Sequence, residues 1–313
     1  MNKIKTLFLG TPDFAVPCFE MLCKREDIEI CGVVTQPDKQ KGRGYQLLPP
    51  PVKEAAALKG LDVYQPSTLK DGAFMDYLHL KQPDLIIVIA YGKILPSEVI
   101  HFPKYGCLNV HASLLPKYRG AAPIQWSLIQ GETKTGVTIM QMDEGLDTGD
   151  MLVKMELPIQ PEDTAGTLFE KLSQLGCQAL SHTIDLLLAG DWNPVKQDPE
   201  QMTYAPMITK EFSYIDWSKD AQEICCLIRG LNPSPGAKAV VEGKLLKLFR
   251  AEPAGPTQEE PGTVLEGKKE VLIACGNQTS LRVLSLQPEG KKVQQVGEFL
   301  KGHELKKGIN LRR

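Results

Sequence analysis

The stretch Leu85-Ile-Ile-Val-Ile-Ala90, six apolar residues in a row, constrains this chain most. A strand with one solvated face alternates polar and apolar residues. An unbroken apolar run needs cover on both faces, as in a parallel sheet with helices packed above and below. The neighbouring segments agree with that reading. Leu7–Gly10 ends a strand, Phe14–Lys24 has helical spacing, and Ile30–Thr35 and Gly106–His111 read as further strands. Strand and helix signals alternating at this spacing predict a doubly wound α/β sheet. In that architecture, function sits in the loops at the carboxyl ends of the strands.

The second half changes character. Thr164–Ala189 is the clearest helix, with Leu168, Leu172, Leu175 and Ala179 on one face and Gly190 placed to cap its end. Residues 191–206 are polar, contain prolines and lack hydrophobic periodicity, so they read as a linker. A helix over Ala221–Leu231 follows. Short strand signals then come at Ala239–Val241, Leu245–Phe249, Gly262–Leu265, Val271–Ala274 and Ser280–Leu286. Five short strands in so short a span suit a small β-barrel of OB type. At 313 residues the chain is about twice a typical domain, and the expected plan is 1–190, a linker over 191–206, and 207–313.

Net charge is −2 overall, but the two parts differ. Residues before Met207 carry 19 basic and 25 acidic side chains, net −6, and the remainder carries 17 and 13, net +4. A basic C-terminal part is compatible with a polyanionic partner. No apolar run approaches the roughly 18 residues of a membrane span. The apolar run at the N-terminus is too short for a signal peptide and lacks a cleavage site. The eight cysteines form no CxxC pair and several lie within apolar runs, which favours reduced core thiols and a cytoplasmic protein. Nothing suggests a long apolar surface stripe, so a monomer is expected.

Two segments could carry chemistry. Gly10-Thr-Pro-Asp13 occupies the turn where a dinucleotide enzyme has its glycine-rich loop, yet GxGxxG is absent and Pro12 removes a backbone donor. The stronger segment is Asn109-Val-His-Ala-Ser-Leu-Leu-Pro-Lys-Tyr-Arg-Gly120. Asn109 and His111, two apart on a strand, face the same side. An amide beside an imidazole offers an oxyanion donor and a group that exchanges protons near pH 7, or simply a hydrogen bond that ends a strand. Asp143-Glu-Gly-Leu-Asp-Thr-Gly-Asp150 follows a strand over Gly136–Met142. Its four acids lack EF-hand spacing. One of them could set the protonation state of the imidazole, or the loop could merely be solvated.

Taken together, Asn109-Val-His-Ala-Ser-Leu-Leu-Pro, Arg119-Gly120 and Gly145-Leu-Asp-Thr-Gly149 resemble the signature of the folate-dependent formyltransferases. Gly10-Thr-Pro-Asp-Phe-Ala15, Gln36-Pro-Asp38, Gly42-Arg-Gly44, Ile215-Asp-Trp217 and Ile228-Arg-Gly-Leu-Asn-Pro233 extend the resemblance along the chain. It is most similar to the branch that formylates methionine carried on initiator tRNA. The resemblance implies a Rossmann-like catalytic domain and an OB-like C-terminal domain that binds tRNA. It also implies a catalytic triad of Asn109, His111 and Asp147. Asn109 and His111 would meet the oxyanion, while Asp147 would orient His111 and assist removal of the amine proton.

The folate contact would fall on Ser113, Leu114, Leu115 and Pro116. 10-Formyltetrahydrofolate is the implied co-substrate, and no metal is expected because the chemistry has no Lewis-acid step. The basic loop over Pro37–Pro51, expected to be mobile, would bring Lys39, Lys41 and Arg43 to the tRNA acceptor end. The alternatives are a formyltetrahydrofolate hydrolase, another folate-dependent formyltransferase such as a glycinamide ribonucleotide enzyme, and a non-catalytic RNA-binding protein. The long C-terminal part argues against the glycinamide ribonucleotide enzyme. The retained loop argues against the hydrolase, and the intact triad residues argue against an inactive protein.

Overall fold

A computed structural model describes residues 3–41 and 46–311. The chain forms β1 (Ile4–Gly10), α1 (Val16–Lys24), β2 (Ile28–Val34), β3 (Lys39–Lys41), β4 (Gln46–Leu48) and α2 (Pro51–Ala57). It continues through β5 (Val63–Tyr64), α3 (Ala73–Lys81), β6 (Leu85–Ile89), α4 (Ser97–Ile100) and β7 (Cys107–His111). Then come α5 (Pro123–Ile129), β8 (Lys134–Gln141), β9 (Met151–Pro158) and α6 (Ala165–Ala189).

The main sheet has the order β5-β2-β1-β6-β7-β8-β9. Strands β5, β2, β1, β6 and β7 run parallel, and β8 is antiparallel to β7. The strand order reverses at β1, with β2 on one side and β6 on the other, which is the switch expected of a doubly wound sheet. Every residue of β6 is buried, as its apolar run requires. Alternation sorts the covers: Leu7 and Leu9 pack with Phe74, Leu78, Val99 and Ile100. Phe8, turned the other way, meets Phe19 of α1 at 5.2 Å between ring centroids. Each such side chain, fully removed from water, contributes roughly 1.5–3 kcal/mol.

The remainder comprises α7 (Ala221–Gly230), β10 (Ala237–Val241), β11 (Lys244–Pro253), β12 (Val264–Glu266), β13 (Val271–Ala274), β14 (Ser280–Pro288), β15 (Gln294–Gln295) and α8 (Val296–Leu300). Strands β10 to β14 fall where the strand signals lie and form an antiparallel sheet in the order β10-β11-β14-β13-β12, with β15 on β14. No ladder among the described residues joins β10 to β12, so the sheet is a half-barrel. Asp220 and Glu223 make a reciprocal capping box that starts α7. From that start, Ile224 and Ile228 reach the core of Leu248, Ile273, Val283 and Leu286.

The compact units are not contiguous in sequence. One holds residues 1–120, 135–157 and 169–204, and the other holds 121–134, 158–168 and 205–313. The expected plan assigned all of 1–190 to one domain; the difference has local causes. A Cβ on Gly230 would sit 2.6 Å from Ile129 Cγ1, so α5 and α7 touch closely where glycine permits. Trp126 packs on Phe212 at 5.0 Å and donates its indole N–H to the Pro206 carbonyl. Arg229 donates to the carbonyls of Asp163 and Gln160 at 2.8 Å each.

The expected linker, 191–206, is not a bare tether. Val195 bridges Met151, and Tyr204 bridges Arg119. In the basic segment, Lys39–Lys41 pairs antiparallel with Gln46–Leu48, so part of the expected loop is a hairpin. Its base is held by Asp38, which accepts from Lys53 Nζ at 2.8 Å and from Gln65 Nε2 at 2.8 Å. Lys39 is exposed, whereas Arg43 and the Lys41 side chain lie outside the described residues. Among the described residues no helix is long and apolar enough to cross a membrane. The eight cysteines are free thiols, five of them buried.

Candidate active site

Strand β7 delivers the Asn109/His111 pair. It lies between β6 and β8, with Asn109 opposite Met140 and His111 opposite Thr138 on β8. Val110 points at α6, where a Cβ on Gly176 would come within 2.9 Å of Val110 Cγ1. Alternation therefore sends Asn109 and His111 to the opposite face. Asn109 is half-buried, and no described residue hydrogen-bonds its carboxamide. Its two amide N–H groups have no acceptor among the described residues.

His111 is 6% exposed and tightly placed. Its Nε2 lies 2.9 Å from the Tyr118 carbonyl oxygen. A carbonyl only accepts, so Nε2 carries the proton and Nδ1 is the ring's variable atom. Nδ1 faces Asp147 Oδ2 at 3.6 Å. The same Oδ2 accepts the Gly120 backbone N–H at 2.8 Å. His111 and Asp147 are thus brought together, and both are tied to the segment 118–120.

The loop between β8 and β9 holds Asp147 by several means. Gln141 N–H donates to the Asp150 carbonyl at 2.8 Å and closes the loop's base. Asp143 Oδ1 accepts from Thr148 Oγ1 at 2.6 Å and from Gly145 N at 3.1 Å. Ser97 Oγ donates to Glu144, which fastens the loop to the start of α4. Asp147 itself has φ +52°, a left-handed conformation that costs an ordinary side chain roughly 1–2 kcal/mol. Gly149 is required by close approach, because a Cβ there would run into the Gln141 carbonyl.

The expected folate segment divides. Ser113 is 1% exposed and donates its hydroxyl to the Lys117 carbonyl at 2.7 Å. Leu115 is fully buried against Met140 and Met151, and Pro116 is also buried. Thr138 Oγ1 donates to the Ser113 carbonyl at 2.7 Å and accepts Leu115 N–H at 3.1 Å. These contacts shape the loop; Leu114 is half-buried, with its side chain against Gly136 of β8.

One residue escaped the sequence reading altogether. Gln197, in the stretch expected to be a linker, sends Nε2 to the carbonyls of Asp147 and Gly149, each at 2.8 Å. Its Oε1 accepts from Arg119 Nε at 3.0 Å and Nη2 at 2.7 Å. A polar residue in an aperiodic segment gives no local signal of such a contact. Arg119, quoted in the motif without a role, is 7% exposed, and no described carboxylate pairs with it.

Residues 2–184 match the family described as formyl transferase, and residues 207–304 match the formyl transferase C-terminal domain. A methionyl-tRNA formyltransferase of Caldanaerobacter subterraneus is 48% identical, covering 99% of this chain and all of the relative. The enzyme of that name from Bacillus subtilis is 46% identical over 97% of this chain and 96% of its own length. Among solved structures, WlaRD, a sugar 3N-formyl transferase, aligns with a TM-score of 0.68 at 18% identity, covering 93% of this chain and all of that one. A methionyl-tRNA formyltransferase from Clostridium thermocellum aligns at 0.56 and 21% identity, covering 80% and 93%; both structures share the fold. With two family domains matched in order and near-full-length relatives at almost half identity, this chain belongs to the formyl transferase family.

Proposed function

We propose that this protein transfers the formyl group of 10-formyltetrahydrofolate to the amino group of methionine on initiator methionyl-tRNA, in the cytoplasm, for translation initiation. The observation that carries the reading is the match to methionyl-tRNA formyltransferases along essentially the whole chain, through both domains. Residues 1–190 supply the catalytic domain, and 207–313, with net charge +4, supply tRNA contacts alongside Lys39, Lys41 and Arg43. No metal takes part in this scheme.

The neutral amine attacks the formyl carbon; a C–N bond forms as the carbonyl π pair moves to oxygen. The free Asn109 carboxamide and His111 Nδ1–H are the donors for that oxyanion. With Nε2–H already committed to the Tyr118 carbonyl, a proton on Nδ1 makes the ring an imidazolium. Asp147 Oδ2 lies 3.6 Å from that nitrogen. Asp147 takes the proton released by the new ammonium, directly or through water. The oxyanion's pair then re-forms the carbonyl as the C–N10 bond breaks, N10 takes up the proton that Asp147 accepted, directly or through water, and tetrahydrofolate leaves. The site thus relies on preorganised donors and positioning. Leu114 and the 113–116 backbone border the pterin.

Formyl transfer is measured to charged initiator tRNA, to free methionine and to water. Transfer confined to the charged tRNA is the expected result. Predominant release of formate would establish the hydrolase instead, and no turnover of any kind would point to an RNA-binding protein.

A further inference from the structure

We infer that Arg119 and Gln197 are positioning residues that hold Asp147 in its working conformation, an inference that rests on the catalytic role of Asp147 proposed above. The Gln197 amide is fixed in one orientation. Arg119 has only donors, so Oε1 must face its fork, and Nε2 must then face the loop. There Nε2 spans two carbonyls, those of Asp147 and Gly149, and so grips the turn on both sides of Thr148. A residue at φ +52° is not held by its own preferences and needs such restraints.

The same segment closes a ring of contacts. Arg119 N–H donates to the Thr203 carbonyl at 2.9 Å, and Tyr118 N–H donates to Thr203 Oγ1 at 2.9 Å. The Tyr118 carbonyl holds His111 Nε2, and Gly120 N–H holds Asp147 Oδ2. Both sides of the His111–Asp147 pair therefore depend on where residues 118–120 lie. That segment is registered against 197–203 rather than against the strands of the sheet. Arg119, a buried cation with the Gln197 carbonyl as its hydrogen-bond partner, locks the register. Neither side chain hydrogen-bonds Asn109 or His111, so their effect on the site passes through Asp147.

Gln197→Glu is the diagnostic variant. It keeps the shape and strengthens the pairing with Arg119, while replacing the donor that holds Asp147 and Gly149 by an acceptor facing two carbonyls. The expected outcome is a melting temperature equal to or above that of the parent, a folate KM within about twofold, and a kcat lowered by about 10–100-fold, as displacement near 1 Å produces. A purely structural role would leave kcat unchanged along with the stability, or move folate KM and kcat together; either result overturns the inference. Asp147→Asn is assayed in parallel: full activity there would instead remove the catalytic role of Asp147. Should Gln197→Glu lose its cooperative transition, Arg119→Lys, which keeps the cation and loses the fork, is read by the same criteria. If neither variant folds, the pair is structural and the inference fails.

Discussion

Thr138→Val tests how the loop at the head of the site is held. Thr138 is fully buried on β8, opposite His111, and its hydroxyl serves two backbone groups at once. It donates to the Ser113 carbonyl and accepts the Leu115 N–H, both within the buried interior. Valine keeps the shape and removes the hydroxyl. Each buried backbone group left unpaired costs about 1–3 kcal/mol, so the pair should cost roughly 2–6 kcal/mol. Thr138→Ser, its counterpart, keeps both hydrogen bonds and loses one methyl group, about 1 kcal/mol. The two variants are compared by urea unfolding at matched slopes and by exchange of the Leu115 amide proton in the native protein. Valine should be the more destabilised and should exchange Leu115 markedly faster. If serine proves as costly as valine, or Leu115 exchange is unchanged in valine, the hydroxyl is not what holds the 113–116 loop.

Other perturbations bear on separate parts of the molecule. Arg43→Ala should lower kcat/KM for charged initiator tRNA more than about tenfold, or about 1.4 kcal/mol, while steady-state kinetics show an unchanged folate KM; Lys39→Ala should cost less. Gly149→Ala forces a Cβ against the Gln141 carbonyl, so the Asp147 loop must shift, and kcat should fall at least about tenfold in a protein that still folds by circular dichroism. The Arg25 guanidinium beside Asp27 holds that carboxyl below the usual range. Its contribution to stability is therefore present above about pH 4 and lost as pH falls through the depressed value. Asp27→Asn should accordingly flatten the acid side of a plot of unfolding free energy against pH.

The sheet was legible because its signals are local. The apolar run 85–90 demands cover on both faces, and α6 announces itself by leucine spacing over several turns. The Asn109/His111 pair could be read for the same reason, since two residues on one strand face need no tertiary knowledge. Asp147 could be identified only through its motif; its φ of +52° and its bond to Gly120 have no local sequence sign. Gln197 was not legible, because its partners lie 48 to 78 residues away and its own segment has no period. The hairpin β3/β4 escaped because its strands, KQK and QLL, are three residues each and too short to show an alternating pattern. The grouping of 121–134 with the C-terminal half rests on the close approach of Gly230 to Ile129 and on the contacts of Trp126 with Phe212 and Pro206, none of which has a local sequence sign.

That grouping bears on how a chain like this can be taken apart or recombined. The backbone passes from one unit to the other five times, at 121, 135, 158, 169 and 205, so neither is a contiguous cassette. A segment excised as 207–313 would leave behind α5 and Arg229's carbonyl partners, baring apolar surface around α7 that Ile129 covers. Recombination at the 191–206 stretch would likewise separate Gln197 from Arg119 whenever the crossover fell before residue 197. A working chimera would have to carry the two inserted stretches along with the C-terminal half, or evolve a new cover for that surface. The two halves are thus constrained to be inherited as one piece.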